Sequence, residues 1–141
     1  MPPAAKFLIG LAAAILIGWI FHAPLGLGES FVGGLEAQAR AAVSEVAGVE
    51  ARLGRDPLSR NVTLSGPADQ FQRQGMGQFP GLDDRIGAIE GISGSQWTDQ
   101  GSPRRGIPLL IESLIAILLA YLVGIGAARL LFGRLKKDSY L

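Results

Sequence analysis

The sequence contains no cysteine and a single histidine, His22. Without cysteine the chain has no disulfide, no thiolate nucleophile and no cysteine-ligated metal. His22 adjoins an apolar stretch, where an interfacial side chain is the ordinary interpretation, and the polar centre of the chain has no histidine to complete a nucleophilic triad. The sequence therefore predicts that the protein is not an enzyme and uses no cofactor or metal.

An excess of positive charge is also missing. The formal net charge is +1, and residues 22–106 hold eight arginines against ten acidic residues. A nucleic-acid-binding surface needs a broad basic face, which this balance does not supply. We therefore exclude nucleic acid as a partner.

Long apolar stretches are what the chain does have, at residues 7–21 and 107–132. A bilayer core of ~30 Å needs about 20 helical residues, and the first stretch reaches that length as residues 4–27 once its uncharged flanks are counted. The sequence predicts transmembrane helices at 4–27 and 107–132. Glu112, near one end of the second, is interpreted as an interfacial carboxylate, with a functional intramembrane acid as the alternative.

The first stretch also has a rival interpretation, because Lys6 followed by an apolar run is how a secretory signal peptide begins. No convincing small-x-small cleavage site follows the run, which leads into Trp19, Phe21, His22 and Pro24. These residues favour an uncleaved membrane anchor.

Basic residues close to the two stretches predict the orientation in the membrane. Lys6, Lys136 and Lys137 all lie near the termini, and cytoplasmic flanks are enriched in lysine and arginine. Arg104 and Arg105 oppose this orientation, but they end a long loop, and long loops translocate largely regardless of charge. The sequence thus predicts a bacterial inner-membrane protein with both termini cytoplasmic, a basic cytoplasmic tail at 133–141 and a periplasmic centre.

The central region shows helical and then strand-like periodicity. Apolar residues recur at helical spacing over residues 29–47, with Glu36 on the polar side of the wheel and Gly48 placed to end the helix. Two alternating apolar runs then predict an antiparallel hairpin around a turn at 54–59. The runs consist of Val49, Ala51 and Leu53, and of Val62 and Leu64.

Helical material returns after Gly66 in two pieces, followed by a strand. Residues 68–74 form the first piece, and Leu82, Ile86 and Ile89 share one face of the second. Asp83 and Asp84 fall in a solvated first turn of that second piece, where the helix dipole favours negative charge. The glycine-rich residues 75–81 are interpreted as a flexible loop, since they lack the Lys-Ser/Thr of a phosphate-binding loop. A strand over 92–98 closes an order of helix, strand, strand, broken helix and strand.

Two segments of this region have recognisable patterns, and they are Asn61-Val62-Thr63-Leu64-Ser65-Gly66 and Ile89-Glu90-Gly91-Ile92-Ser93-Gly94-Ser95. The first is similar to the V-x-L-x-G strand of the BON domain, a family named for bacterial osmotically induced and nodulation proteins. The second is similar to the closing v-x-G-V-x-x-V of the same family. The resemblance implies a small αββαβ module of the α+β class at residues 29–99, with helices on one face of a three-stranded sheet, and a linker at 100–106. It also implies attachment to membranes or other envelope components, and it implies no catalytic residues. Ser95 departs from the family's aliphatic position, and residues 74–81 are an insertion.

Small residues repeat at spacings of four in both apolar stretches. Gly10, Ala14 and Gly18 form such a stripe in the first, and Gly124 with Ala128 does so in the second. Small residues at this spacing let helix backbones approach closely in lipid. We predict that these five residues pack helices together, the partner being the chain's own second span, a second copy or another integral-membrane protein.

Two functions remain open at this point. In the first, the centre of the chain is a membrane-anchored module that binds a lipid surface, cell-wall material or a periplasmic protein. In the second, the chain is an accessory subunit of a larger membrane complex and docks through its apolar helices.

Overall fold

The structure is a computed structural model that describes residues 2–22, 24–101 and 106–135. The chain divides into two units. One, the helix pair, comprises Met1–Leu25 with Ile111–Leu141, and the other, the lobe, comprises Gly26–Leu110. Most of the predicted linker and basic tail, including Arg104, Arg105, Lys136 and Lys137, lies outside the described residues.

Two long apolar helices make up the described part of the helix pair. Helix α1 spans Pro3–His22 and helix α5 spans Leu109–Leu135. Both are long and apolar enough to cross a membrane, which confirms the prediction of an apolar helix near each end. The predicted span runs on to residue 27, but helix α1 stops at His22. It ends there because Pro24 has no backbone N–H to continue the helix.

Helix α2 (Leu27–Val43) opens the lobe and buries one apolar stripe. Its core-facing residues are Val32, Leu35, Ala39 and Val43, as the helical spacing predicts. The predicted end at residue 47 is wrong, because the helix stops at Val43. Ser44 ends it, with its backbone N–H and its hydroxyl both donating to the Ala41 carbonyl.

The predicted hairpin is confirmed by strands β1 (Glu50–Arg55) and β2 (Leu58–Ser65), which pair antiparallel. Ala51 and Leu53 of β1 and Val62 and Leu64 of β2 are buried in alternation, as expected for strands with one covered face. Strand β5 (Gly94–Trp97) then pairs parallel with β2, giving a three-stranded sheet in the order β1-β2-β5.

The predicted broken helix is confirmed as helices α3 (Gln70–Gln74) and α4 (Leu82–Gly87). The break itself is a two-stranded hairpin, β3 (Gly75–Met76) with β4 (Phe79–Pro80), so the segment interpreted as a flexible loop contains a short pair of strands. A single 3₁₀ turn, Thr98–Gln100, follows β5.

One apolar core lies between the helices and the sheet. Helix α2 packs against β1 and β2, and α4 packs against α2 and β5. The largest fully buried side chains are Trp97, Leu64, Leu82, Ile86, Val32, Val43 and Val62. Burying each of the larger aliphatic side chains contributes roughly 1.5–3 kcal/mol. The observed class is mixed α+β with a small sheet at its centre, as the sequence predicts.

Glu36 departs from its predicted place on the polar side of α2. Only 7% of the residue is exposed. The Arg55 guanidinium of β1 donates to Glu36 Oε2 at 2.9 Å, and Arg40 donates to the other oxygen. Two guanidinium partners compensate the loss of water around the carboxylate, which joins α2 to the first strand.

Candidate functional site

Three exposed large apolar side chains of the lobe lie on α3 and the β3–β4 hairpin, and two of them are the most exposed of the described lobe. Phe79 is 72% exposed, Met76 67% and Phe71 48%. We term Phe71, Met76, Phe79 and the exposed Pro80 the hairpin surface. Contiguous exposed apolar groups of this kind mark sites of interaction on protein surfaces.

Glycines give the hairpin its tight shape. Gly77 lies in the turn with φ of 59°, in the left-handed region that glycine enters without strain. Gly81 follows β4 where the chain passes close to itself, and a Cβ there would collide with the backbone of Gly75 and Arg73. The sequence pattern Gly-x-Gly-x-x-x-Gly therefore encodes a turn and a close backbone approach.

A capping box starts the short helix that leads into the hairpin. Asp69 Oδ1 accepts from the Gln72 backbone N–H at 2.7 Å, and Gln72 Oε1 accepts from the Asp69 N–H at 3.0 Å. A helix as short as α3 is marginal without such caps. These bonds fix where the chain enters the hairpin surface.

Arg73, at the other end of α3, fastens the segment to the core. Its guanidinium donates to both oxygens of Asp99, at 2.7 and 2.9 Å, and its Nε donates to the Ala68 carbonyl at 2.9 Å. The same guanidinium lies over the Trp97 ring, 4.1 Å from the centroid. A cation over an aromatic face contributes about 0.5–2 kcal/mol, depending on how far water is excluded. The hairpin surface is thus carried on an anchored segment.

Trp97 joins this network to α4. Its Nε1–H donates to Asp83 Oδ1 at 3.0 Å, which satisfies the polar edge of a ring that is 1% exposed. Asp83 lies in the first turn of α4, as predicted, but it is half-buried and its carboxylate is a structural acceptor for Trp97. The neighbouring Asp84 points elsewhere and accepts from the Gly81 N–H at 3.2 Å, as expected for adjacent helical residues.

An apolar groove of about 390 Å³ adjoins the hairpin surface. Its apolar lining residues are Val46, Phe71, Phe79, Pro80 and Leu82. Glu45 and Arg85 also line it and form an ion pair with each other. This volume lies within the range of small-molecule and side-chain binding sites.

The polar side chains that line the groove are few. Among the described residues that line it, they are Glu45, Gln72 and Arg85, and two of these form an ion pair. Across the ranges that the structure describes, no three histidine, cysteine or acidic residues are grouped closely enough to hold a metal ion. The apolar side chains of the groove can exclude water from an apolar group that enters it.

The predicted helix-packing residues of α1 lie beside α5. A Cβ on Gly10 would collide with the Tyr121 hydroxyl, and one on Gly18 would collide with the Ile117 side chain. Ala14 lies between them and is partly buried. The small residues thus allow large side chains of α5 to approach the α1 backbone.

Tyr121 makes a polar contact between the two helices. Its hydroxyl donates to the Phe7 carbonyl at 2.8 Å, and the two rings lie 5.6 Å apart. The predicted packing residues of α5 are placed differently: Gly124 and Ala128 are exposed, and nothing lies within 4 Å of a Cβ built on Gly124. Between the described parts of α1 and α5, the close approach is therefore made at the stripe of α1 and not at Gly124.

Sequence reasoning missed Arg73, Trp97 and Tyr121. An isolated tryptophan in a strand-forming run, or a tyrosine inside an apolar helix, indicates that its polar atom needs a buried partner. The sequence therefore shows that Trp97 and Tyr121 need partners, but it does not show which residues those partners are. Asp99 is 26 residues from Arg73, and Phe7 is 114 residues from Tyr121.

Comparison of the chain with family models, with curated proteins and with solved structures gave no match.

Proposed function

We propose that the chain is a non-enzymatic membrane protein that displays a BON-like lobe on the periplasmic side of a bacterial inner membrane. Helices α1 and α5 anchor the lobe at both ends, and both termini face the cytoplasm. The resemblance of the 61–66 and 89–95 segments to the BON family supports the BON-like assignment, as does the order of helices and strands. The asymmetry of the lysines supports the orientation.

In this proposal the lobe binds an envelope component through the hairpin surface. The observation that carries it is the exposure of Phe79, Met76 and Phe71 on an anchored segment beside an apolar groove. Phe71, Met76 and Phe79 do not belong to the apolar core of the lobe, so the core does not depend on them. Lipid, cell-wall material and a periplasmic protein all offer apolar groups that such a surface accepts.

Site-specific photo-crosslinking in living cells tests this proposal. A photoreactive residue in place of Phe79 should form adducts with envelope material. The same residue in place of Arg52, which is equally solvent-accessible on β1, should form far fewer. Equal yields at the two positions would contradict a binding role for the hairpin surface.

A second candidate function is that of an accessory subunit in a larger membrane complex. The exposed small residues Gly124 and Ala128 favour it, because they leave a close-approach surface unused within the chain. Purification in a mild detergent should then yield a stoichiometric integral-membrane partner that Gly124→Leu releases. A chain that remains alone before and after the substitution would contradict this function.

A further inference from the structure

The hairpin differs from the rest of the lobe in its charge. Residues 74–81 contain no aspartate, glutamate, lysine or arginine, although the lobe as a whole is rich in them. Removing a charge from water is costly, whereas this segment carries only Gln74 and Gln78 as polar side chains. The hairpin can therefore leave water at a low free-energy cost.

The backbone of the hairpin is also prepared for a less polar medium. Gly75 pairs with Pro80 and Met76 pairs with Phe79, so each strand is the other's hydrogen-bonding partner. Unpaired backbone groups are costly wherever water is scarce, which keeps irregular loops out of the hydrocarbon region of a bilayer. The two side chains of the inner pair, Met76 and Phe79, are the most exposed large apolar groups of the described lobe.

The chain itself determines which apolar medium is nearest. Residues 23–26 alone separate α1 from α2, and α5 begins at Leu109, within the lobe. If both apolar helices are embedded, the hairpin remains at a high effective concentration of lipid throughout the life of the protein. A contact too weak to bind free lipid vesicles is then sufficient.

We propose that the hairpin surface inserts Phe79 and Met76 into the interfacial layer of the same bilayer that anchors the chain. This inference rests on the proposed function and assigns its envelope component as lipid. The groove next to Phe79 and Phe71 then accommodates part of a lipid chain or headgroup stem. Because the tether supplies most of the proximity, the contact operates in the bilayer of the chain's own anchors and not between two membranes.

Fluorescence quenching of the full-length chain in phosphatidylcholine vesicles tests the proposal. The chain has no native cysteine, so Gln78→Cys and Arg52→Cys each carry one environment-sensitive dye. With a shallow nitroxide lipid in the same vesicles, we expect a blue-shifted emission and strong quenching at position 78. At position 52 we expect solvent-like emission and weak quenching.

Two further variants identify the inserted group. In the Gln78→Cys background, Phe79→Ser should abolish most of the blue shift and quenching. Phe31→Ser, which removes a different exposed phenylalanine of the lobe, should leave both unchanged. An unchanged melting temperature would show that Phe79→Ser acts without unfolding the lobe, as its 72% exposure implies.

Three results would overturn the proposal. The first is solvent-like emission at position 78 in vesicles, which would favour a protein or cell-wall ligand and leave the proposed function standing. The second is quenching only when the nitroxide is in separate, protein-free vesicles, which indicates a second membrane. The third is a blue shift that disappears when the protein is diluted in lipid, which indicates a second copy of the chain. The proposed function itself is tested by a separate measurement, which determines the side of the membrane on which the lobe lies. A lobe on the cytoplasmic side would contradict the proposed function.

Discussion

The helix pair and the lobe use apolar side chains in opposite ways. In the lobe the large groups are inside, with Leu64 and Ile86 both 0% exposed. In the helix pair the large groups are outside, with Ile15 46% and Leu16 55% exposed, while Gly18 is buried. The hydrophobic effect drives the arrangement in the lobe, because burial removes apolar surface from contact with water. The arrangement in the helix pair suits lipid, where close approach of backbones is what holds helices together.

The comparison teaches that the same sequence feature has two meanings in this chain. Gly18 in the helix pair makes room for a side chain of the neighbouring helix, whereas Gly77 in the lobe permits a turn. An exposed apolar side chain is expected on α1, which is apolar enough to cross a membrane, whereas on the hairpin it indicates a site of interaction. This difference between the helix pair and the lobe is therefore tested by substitutions that affect one region and leave the other unchanged.

The largest expected effect is that of Leu64→Asp on the lobe. A carboxylate at this fully buried position on β2 should lower the free energy of unfolding by about 4 kcal/mol or more, because it has no partner there. Limited proteolysis of the chain in detergent should show a digested lobe and protected apolar helices. Thr63→Asp, on the other face of the same strand, is the matched control and should leave the lobe resistant. Equal resistance in both variants would show that the assigned strand register is wrong.

Gly18→Leu and Gly10→Leu should act on the helix pair alone. A leucine at either position has to displace Ile117 or Tyr121, an overpacking that costs about 1–3 kcal/mol. Spin labels at the exposed Ile15 and Leu118 should report a longer or broader distance, while the melting temperature of the lobe stays constant. Gly124→Leu is the control, since nothing lies within 4 Å of its Cβ. A distance unaltered by both α1 variants would remove the stripe from the packing surface.

Arg73→Met should destabilise the lobe by about 1–2 kcal/mol, because it removes the Asp99 hydrogen bonds and the cation over the Trp97 ring. Chemical denaturation followed by far-ultraviolet circular dichroism measures the change. Arg52→Met removes an ion pair whose two side chains are 70% and 61% exposed, and it should produce no measurable change. Equal effects of the two substitutions would mean that Arg73 is no more than a surface charge.

Tyr121→Phe should have the smallest effect on the stability of the helix pair. It separates the contribution of hydrogen bonding from that of close packing. It removes the hydrogen bond to the Phe7 carbonyl and keeps the ring contact, and such a bond in lipid is worth about 0.6 kcal/mol on average. Titration with a denaturing detergent should therefore shift the helix-pair transition slightly, with no shift for the lobe. A shift as large as that of Gly18→Leu would indicate that hydrogen bonding, not close packing, holds the helices.

Local periodicity explains what could be predicted from the sequence. The stripe Val32, Leu35, Ala39 fixes the buried face of α2, and the alternation of Val62 and Leu64 fixes that of β2. The apolar lengths of α1 and α5 are equally local properties. Each of these features is determined by residues within a few positions of one another.

What could not be predicted depends on contacts between distant residues. Glu36 is buried because Arg55, on a strand 19 residues later, reaches it. Asp83 becomes an acceptor because Trp97 is placed over it by the parallel pairing of β5 with β2. The hairpin surface was missed because a segment rich in glycine shows no period of either kind, although its turn and close approach require those glycines.

Cysteine labelling in intact cells tests the central claim, that a folded lobe is anchored at both ends and displayed outside the cytoplasm. A membrane-impermeant maleimide should react with Asp56→Cys, at the exposed turn between β1 and β2, without permeabilisation. Lys137→Cys should react only after the inner membrane is opened. Labelling of Asp56→Cys that requires an opened inner membrane, or a mature chain that lacks α1, would contradict the account.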